Sequence, residues 1–219
     1  MSENLQRMRL IGYWIMSLRD EDYFAPQEFV RPLSAEVRAA VADYLSDGDV
    51  YETYRGFSWC RFFCGRKMGC REFSDGHWVW PEDLVHYVSD HGITLPEEFL
   101  EHVGAKVPRI PASHWRRTAV DTDFWKRWCR QNARGDYARR IAEARLLADA
   151  EEAKWLAASV DVMEAQEGVS NERCLWQGCG NAALKGRALC ARCSLRGIED
   201  MRLELEYGDL RRVLAGPAE

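Results

Sequence analysis

No run in this 219-residue chain approaches the roughly 20 apolar residues that a membrane-spanning helix needs. The opening stretch from Met1 to Arg9 also lacks the apolar centre of a secretory leader, so the expected location is the cytoplasm, with no membrane partner. A P-loop, a dinucleotide fingerprint and a Ser, Cys or Thr nucleophile motif are all missing, which removes the enzyme classes that those motifs mark. Internal repeats and low-complexity segments are missing too. Disorder is excluded by what is present: 47% hydrophobic residues and nine tryptophans supply enough apolar surface to offset chain entropy.

Charge is spread unevenly under a net charge of -5. Residues 1–105 carry 10 Lys and Arg against 18 Asp and Glu, whereas residues 106–140 carry 10 against 3, a local excess of +7. This basic island interleaves Arg116, Arg117, Lys126, Arg127 and Arg130 with Trp115, Trp125 and Trp128. Cations neutralise phosphates and indoles stack on bases, so the island is a candidate nucleic-acid surface. The same residues also suit salt bridges to the acidic first segment, with Trp125 and Cys129, or Phe124 and Trp128, spaced as a packed helix face.

The pattern along the chain is that of an α+β protein with a small antiparallel sheet. A helix is expected from Leu33 to Gly48, capped by Ser34, with Val37, Val41, Tyr44 and Leu45 on one face. Residues 50–63 are rich in aromatic and β-favouring types and read as one or two strands. Asp75-Gly76 lies between Glu72-Phe73 and Trp78-Val79-Trp80, the signature of a hairpin with a type I′ turn. Pro81 suits the first turn of a helix reaching His91 and stopped by Gly92, and Pro96 opens a shorter helix ended by Gly104. Prolines 108 and 111 mark a connector, which divides the chain into an α+β domain (1–105), a basic and alanine-rich helical spacer (106–170) and a cysteine-rich module (171–219). In the spacer Tyr137, Ile141, Ala144, Ala148, Trp155, Ala158 and Val162 recur at helical steps up to about Gln166. Such a stripe wants the first domain or a second copy of the chain as its partner.

Eight cysteines in a reducing compartment are better explained as metal ligands than as disulfides. Cys174 and Cys179, followed by Cys190 and Cys193, form two close pairs that suit the four tetrahedral thiolates of a structural zinc site. The glycines at 178, 180 and 186 suit tight turns, and Ser194 to Tyr207 reads as a following helix, so the segment resembles treble-clef zinc fingers. Cys60, Cys64 and Cys70 form a second candidate metal cluster, though the strand expected around Arg61-Phe62-Phe63 and the wide spacing favour buried thiols packed as small apolar groups. The leading function is a non-catalytic zinc-binding protein that presents a surface to a protein partner, or alternatively to nucleic acid. The competing reading is a small enzyme with His77, His86 and His91 gathered in one site.

The segments Tyr54-Arg-Gly-Phe-Ser-Trp-Cys60-Arg, Met68-Gly-Cys70-Arg-Glu-Phe-Ser-Asp-Gly76, Trp80-Pro-Glu-Asp-Leu-Val-His86-Tyr and Leu95-Pro-Glu-Glu-Phe99 resemble a small family of uncharacterised bacterial proteins. The resemblance covers about residues 40–103. It implies a genuine first domain and a bacterial or phage source, and it assigns no catalytic residue.

Overall fold

The computed structural model describes residues 7–115, 118–195 and 210–215. The chain forms two compact units. The first comprises Met1–Met16, Asp20–Arg139 and Arg211–Glu219, and the second Ser17–Arg19 and Arg140–Leu210. No helix among the described residues is long and apolar enough to cross a membrane.

In chain order the elements are β1 (Met8–Leu10), a 3-10 turn (Pro26–Phe29), α1 (Ala35–Ser46), β2 (Asp49–Thr53), β3 (Arg71–Ser74), β4 (Trp78–Pro81), α2 (Leu84–Ser89) and α3 (Glu97–Gly104). Then follow α4 (Ala112–Trp115), β5 (Val120–Asp121), α5 (Asp123–Asn132), α6 (Asp136–Glu167), β6 (Val169–Arg173), β7 (Ala182–Leu184) and α7 (Ala191–Leu195). The α+β class follows from this mixture.

The sheet of the first unit has the order β2-β3-β4-β1-β5. It is mixed rather than antiparallel, because β1 runs parallel to both β4 and β5. Chain past residue 105 therefore returns to this unit: β5 extends the sheet, and α5 buries Trp125 and Cys129 in the main core with Trp14, Phe29, Trp80, Leu84 and Phe99. Aromatic rings dominate that core, with Trp125 stacked on Trp128 at 4.9 Å and edge-on to Trp14 at 5.1 Å. Two of the buried indoles donate to carbonyls, Trp80 Nε1 to Leu45 O (3.0 Å) and Trp125 Nε1 to Tyr13 O (2.6 Å), whereas Trp14 Nε1 and Trp115 Nε1 are buried without an acceptor among the described residues. A smaller cluster of Met8, Leu10, Val79 and Trp115 packs separately.

Ser34 caps α1 by accepting from Val37 N, and Val41 and Leu45 face inward as the spacing requires. The hairpin forms between β3 and β4, with Ser74 paired to Val79 and Asp75 N donating to Trp78 O (3.4 Å), which leaves Gly76 and His77 at the tip instead of Asp75 and Gly76. Asp75 Oδ1 accepts from His77 N (2.8 Å) and Trp78 N (2.7 Å), so a carboxylate closes the loop. A side chain at Gly76 would meet Ile110 Cβ at 2.5 Å, and its φ is +87°. Pro81 ends β4 rather than opening a helix, which is delayed to Leu84. Residues 54–70 contain no strand. Only an isolated bridge, Trp59 to Lys67, interrupts the loop, and Cys60 to Phe63 closes as a turn through Phe63 N to Cys60 O (2.9 Å).

The helical stretch pauses at Gly135 as expected, and the start of α6 is held by Glu28. This carboxylate is 1% exposed and accepts from Gly135 N, Tyr137 N and Ala138 N, placing a negative charge at the positive end of a 32-residue helix. Farther along α6, within the second unit, Ile141 is buried whereas Trp155 and Val162 are exposed. At the other end Gly168 N donates to Glu164 O, and the chain enters the β6-β7 hairpin.

Candidate metal centres

The β6-β7 hairpin positions the first cysteine pair. Cys174 follows β6 directly, and Cys179 lies three residues before β7. Cys179 N donates to Trp176 O (3.0 Å), while Gly178 takes φ +78°, closing the tight knuckle. Cys190 and Cys193 stand at the start of α7, where Cys193 N donates to Cys190 Sγ (3.4 Å). All four Sγ atoms lie within 4.8 Å of one another, and they could hold a metal ion. Sulfurs placed about 2.3 Å from a tetrahedral ion stand about 3.8 Å apart. The Cys179 to Cys190 separation is 3.8 Å, the value for shared coordination and far too long for a disulfide.

Burial, together with contacts from Cys190, Cys179 and Cys174, pushes the Cys193 thiol up to about 12. At Cys174 burial acts upward as well, but the backbone N–H groups of Cys190 and Trp176 outweigh it and draw the thiol down to about 7. Four crowded sulfurs cannot all ionise against one another unless a positive charge sits among them. Four thiolates complete a tetrahedral set, so a metal held by all of them would be enclosed by protein ligands. The helix expected from Ser194 to Tyr207 lies almost wholly outside the described residues.

The second cluster differs from the three-cysteine set. Cys60 and Cys64 come together with His86 and His91, again with all four donor atoms within 4.8 Å. Cys70 does not join them, being at the entry to β3 with its carbonyl accepting from Tyr54 N (2.8 Å). The strand reading of residues 60–63 concealed this arrangement. As a turn the segment aims both thiols at α2 and the bend after it, where the two imidazoles sit.

The three histidines do not share a site. His77 packs edge-on against His102 with ring centres 5.1 Å apart and reaches Pro108 O through Nε2 (3.2 Å). His102 Nε2 and the Tyr44 hydroxyl both meet Asp75 Oδ2, at 2.6 and 2.5 Å, and Asp75 is fully buried. Burial, followed by the bond to Asp75, raises the Tyr44 hydroxyl above its ordinary value. The network fixes the hairpin loop against α1 and α3.

In the basic island, Trp115 and Trp125 are fully buried and Trp128 stacks on Phe29 at 5.1 Å. Lys126 pairs with Asp22 (2.7 Å) and Arg127 with Asp121 (2.8 Å), while Arg130 lies 3.9 Å from Asp22. Arg116 and Arg117 lie outside the described residues. No family model, curated protein or solved structure matches the chain.

Proposed function

We propose that this chain is a non-catalytic zinc-binding interaction protein, in which zinc held by Cys174, Cys179, Cys190 and Cys193 folds a small module whose surface engages a protein partner. The convergence of those four sulfurs carries the reading, since their spacing matches tetrahedral thiolate coordination. Their order of knuckle, hairpin and helix start resembles treble-clef fingers. Apolar exposure supports the interaction role: Leu175 and Trp176, inside the first knuckle, are 77% and 44% exposed. In the same unit an open groove of about 610 Å³ is lined by Leu156, Val160, Asp161, Val169 and Arg192. An apolar floor with charges of both signs at its edge suits a peptide or protein surface better than a phosphate backbone.

Elemental analysis of the purified chain and of a Cys190→Ser, Cys193→Ser variant tests the metal. The variant should lose about one zinc relative to the parent, as expected when two of four tetrahedral ligands are removed. Unchanged zinc would overturn the assignment. Fluorescence anisotropy with labelled oligonucleotides tests the partner class. Tight binding that weakens by a log-log slope of roughly -0.7 to -0.9 per phosphate contact would replace the protein partner by nucleic acid.

A further inference from the structure

Outside that module, the loop between β2 and β3 is long, from Tyr54 to Cys70, and carries no helix or strand. Connections of this length without structure of their own are uncommon in compact domains and ordinarily serve a function. At its tip, Cys60 and Cys64 face two imidazoles. Cys60 Sγ lies 3.3 Å from His91 Nε2 and 3.3 Å from His86 Nε2, Cys64 Sγ lies 3.4 Å from His86 Nε2, and the two Nε2 atoms are 3.1 Å apart. For a tetrahedral zinc with bonds of about 2.3 Å to sulfur and about 2.05 Å to nitrogen, the sulfur-nitrogen and nitrogen-nitrogen edges would be about 3.5 and about 3.3 Å. Each measured edge falls within about 0.3 Å of its ideal.

We infer that Cys60, Cys64, His86 and His91 form a second, structural zinc site that fastens the tip of the 54–70 loop to α2. The surroundings of the four donors are those of a ligand set. His86 Nδ1 meets Asp90 Oδ2 at 2.7 Å, with Arg66 Nη1 also 3.2 Å away, and this carboxylate is the usual outer partner of a metal-ligating imidazole that turns Nε2 to its metal. Asp90 is itself fixed by the Ser89 hydroxyl (2.6 Å) and by Arg66 (3.4 Å) from the same loop. Phe62 N donates to Cys60 Sγ (3.4 Å), as a knuckle amide does to a thiolate, and the Phe62 ring stacks on His91 at 4.0 Å. Phe63 holds a positive φ of 55°, uncommon for an aromatic residue and retained here in the turn that carries both thiols. Two thiolates and two neutral imidazoles balance the charge of one Zn2+ and complete its coordination, so the centre has no open position for a substrate. Cys60 and His86 are buried, whereas Cys64 is exposed and gives the metal a route in.

This inference does not depend on the C-terminal quartet, and metal counting separates the two. The full chain should carry about two zinc ions, the Cys190→Ser, Cys193→Ser variant should retain one, and Cys64→Ser or His91→Asn should each remove one. Cys70→Ser should retain both. One zinc in the parent chain, with none left after Cys190→Ser, Cys193→Ser, would overturn the second site, and so would a zinc that survives His91→Asn but is lost in Cys70→Ser. Because a ligand variant can lose metal by failing to fold, the Cys190→Ser, Cys193→Ser chain is also loaded with Co2+. Visible bands of tetrahedral cobalt with thiolate charge transfer are expected, and their absence overturns the site. Asp90→Asn should keep the stoichiometry at saturating metal while lowering affinity about 10- to 100-fold in a chelator competition, which identifies Asp90 as a positioning residue.

Discussion

The two units are stabilised in different ways. The first buries a large cluster of aromatic and aliphatic side chains around Trp14, Trp80 and Trp125, so its fold follows from apolar area removed from water. The cysteine module of the second has a buried cluster made of Cys174, Cys190 and Cys193 with Leu189 and Cys179 packed against it, and beside it buries Ala183, Leu184 and Ala191, a small core with far less hydrocarbon than the first. A segment that small cannot offset its chain entropy by burial alone, and the proposed coordination would supply the missing free energy.

Chelation should break the comparison most severely. Structural zinc contributes on the order of 10 kcal/mol to small fingers, so a strong chelator should abolish amide protection across residues 174–195 while the amides of α5 remain protected. Equal loss in both regions would show that the first unit also depends wholly on metal. Next in size, Trp125→Ala should cost the first unit about 3 to 5 kcal/mol in chemical denaturation, because it empties the centre of the aromatic cluster and orphans the Tyr13 carbonyl. Zinc at the cysteine quartet should be unaffected by that change.

A smaller effect depends on pH. Burial raises the Glu72 carboxyl from 4.5 to about 7 in the folded protein. A raised folded value means that the associated stability is complete below about 4.5 and is lost as pH rises through 7. Glu72→Gln should therefore stabilise the first unit by about 1 to 3 kcal/mol at pH 8, the advantage vanishing near pH 4.5. Parallel urea titrations at the two pH values measure it, and a pH-independent difference would contradict burial as the cause. The smallest expected effect is on α6. Trp155 is 53% exposed, so Trp155→Ser should change stability by less than about 0.5 kcal/mol in a monomer. A larger loss, accompanied by a fall in molecular mass by sedimentation, would show that the helix pairs with a second copy.

Local chemistry was legible where it acts over a few residues. Ser34, the Asp75-Gly76 hairpin, the pause at Gly135 and the pairing of Cys174 with Cys179 and of Cys190 with Cys193 all rest on short-range spacing. The shift of the hairpin tip from Asp75-Gly76 to Gly76-His77 was missed because it goes with the Asp75 carboxylate accepting from His77 N and Trp78 N, a side-chain choice that spacing does not reveal. Strands β1 and β5, of three and two residues, are too short to show any periodicity and exist because β4 and β1 offer them edges. The Cys60 site was hidden by propensity. Phe62 and Phe63 favour strands in general, but Phe62 stacks on His91 and Phe63 turns into positive φ, a tertiary choice. Likewise Lys126 finds its counter-ion in Asp22, a pairing across 104 residues that sequence spacing does not reveal.

Strand β1 also bears on how the molecule is made. Met8 pairs with Val120 on one side, and Arg9 and Leu10 pair with Trp78 and Val79 on the other. Synthesis proceeds from the N-terminus, so this strand emerges before both of its partners and is without them until β4 leaves the ribosome. Its second edge stays open until residue 120 is made. At about 5 to 20 residues per second, that interval lasts several seconds, during which Met8, Leu10 and Ile11 are unprotected by the sheet. Parallel pairing at such separation also folds slowly. The nascent chain therefore passes through a stage at which holdase chaperones would recognise the segment from Met8 to Ile11, and production should be more sensitive to elongation rate before Val120 is made than after it.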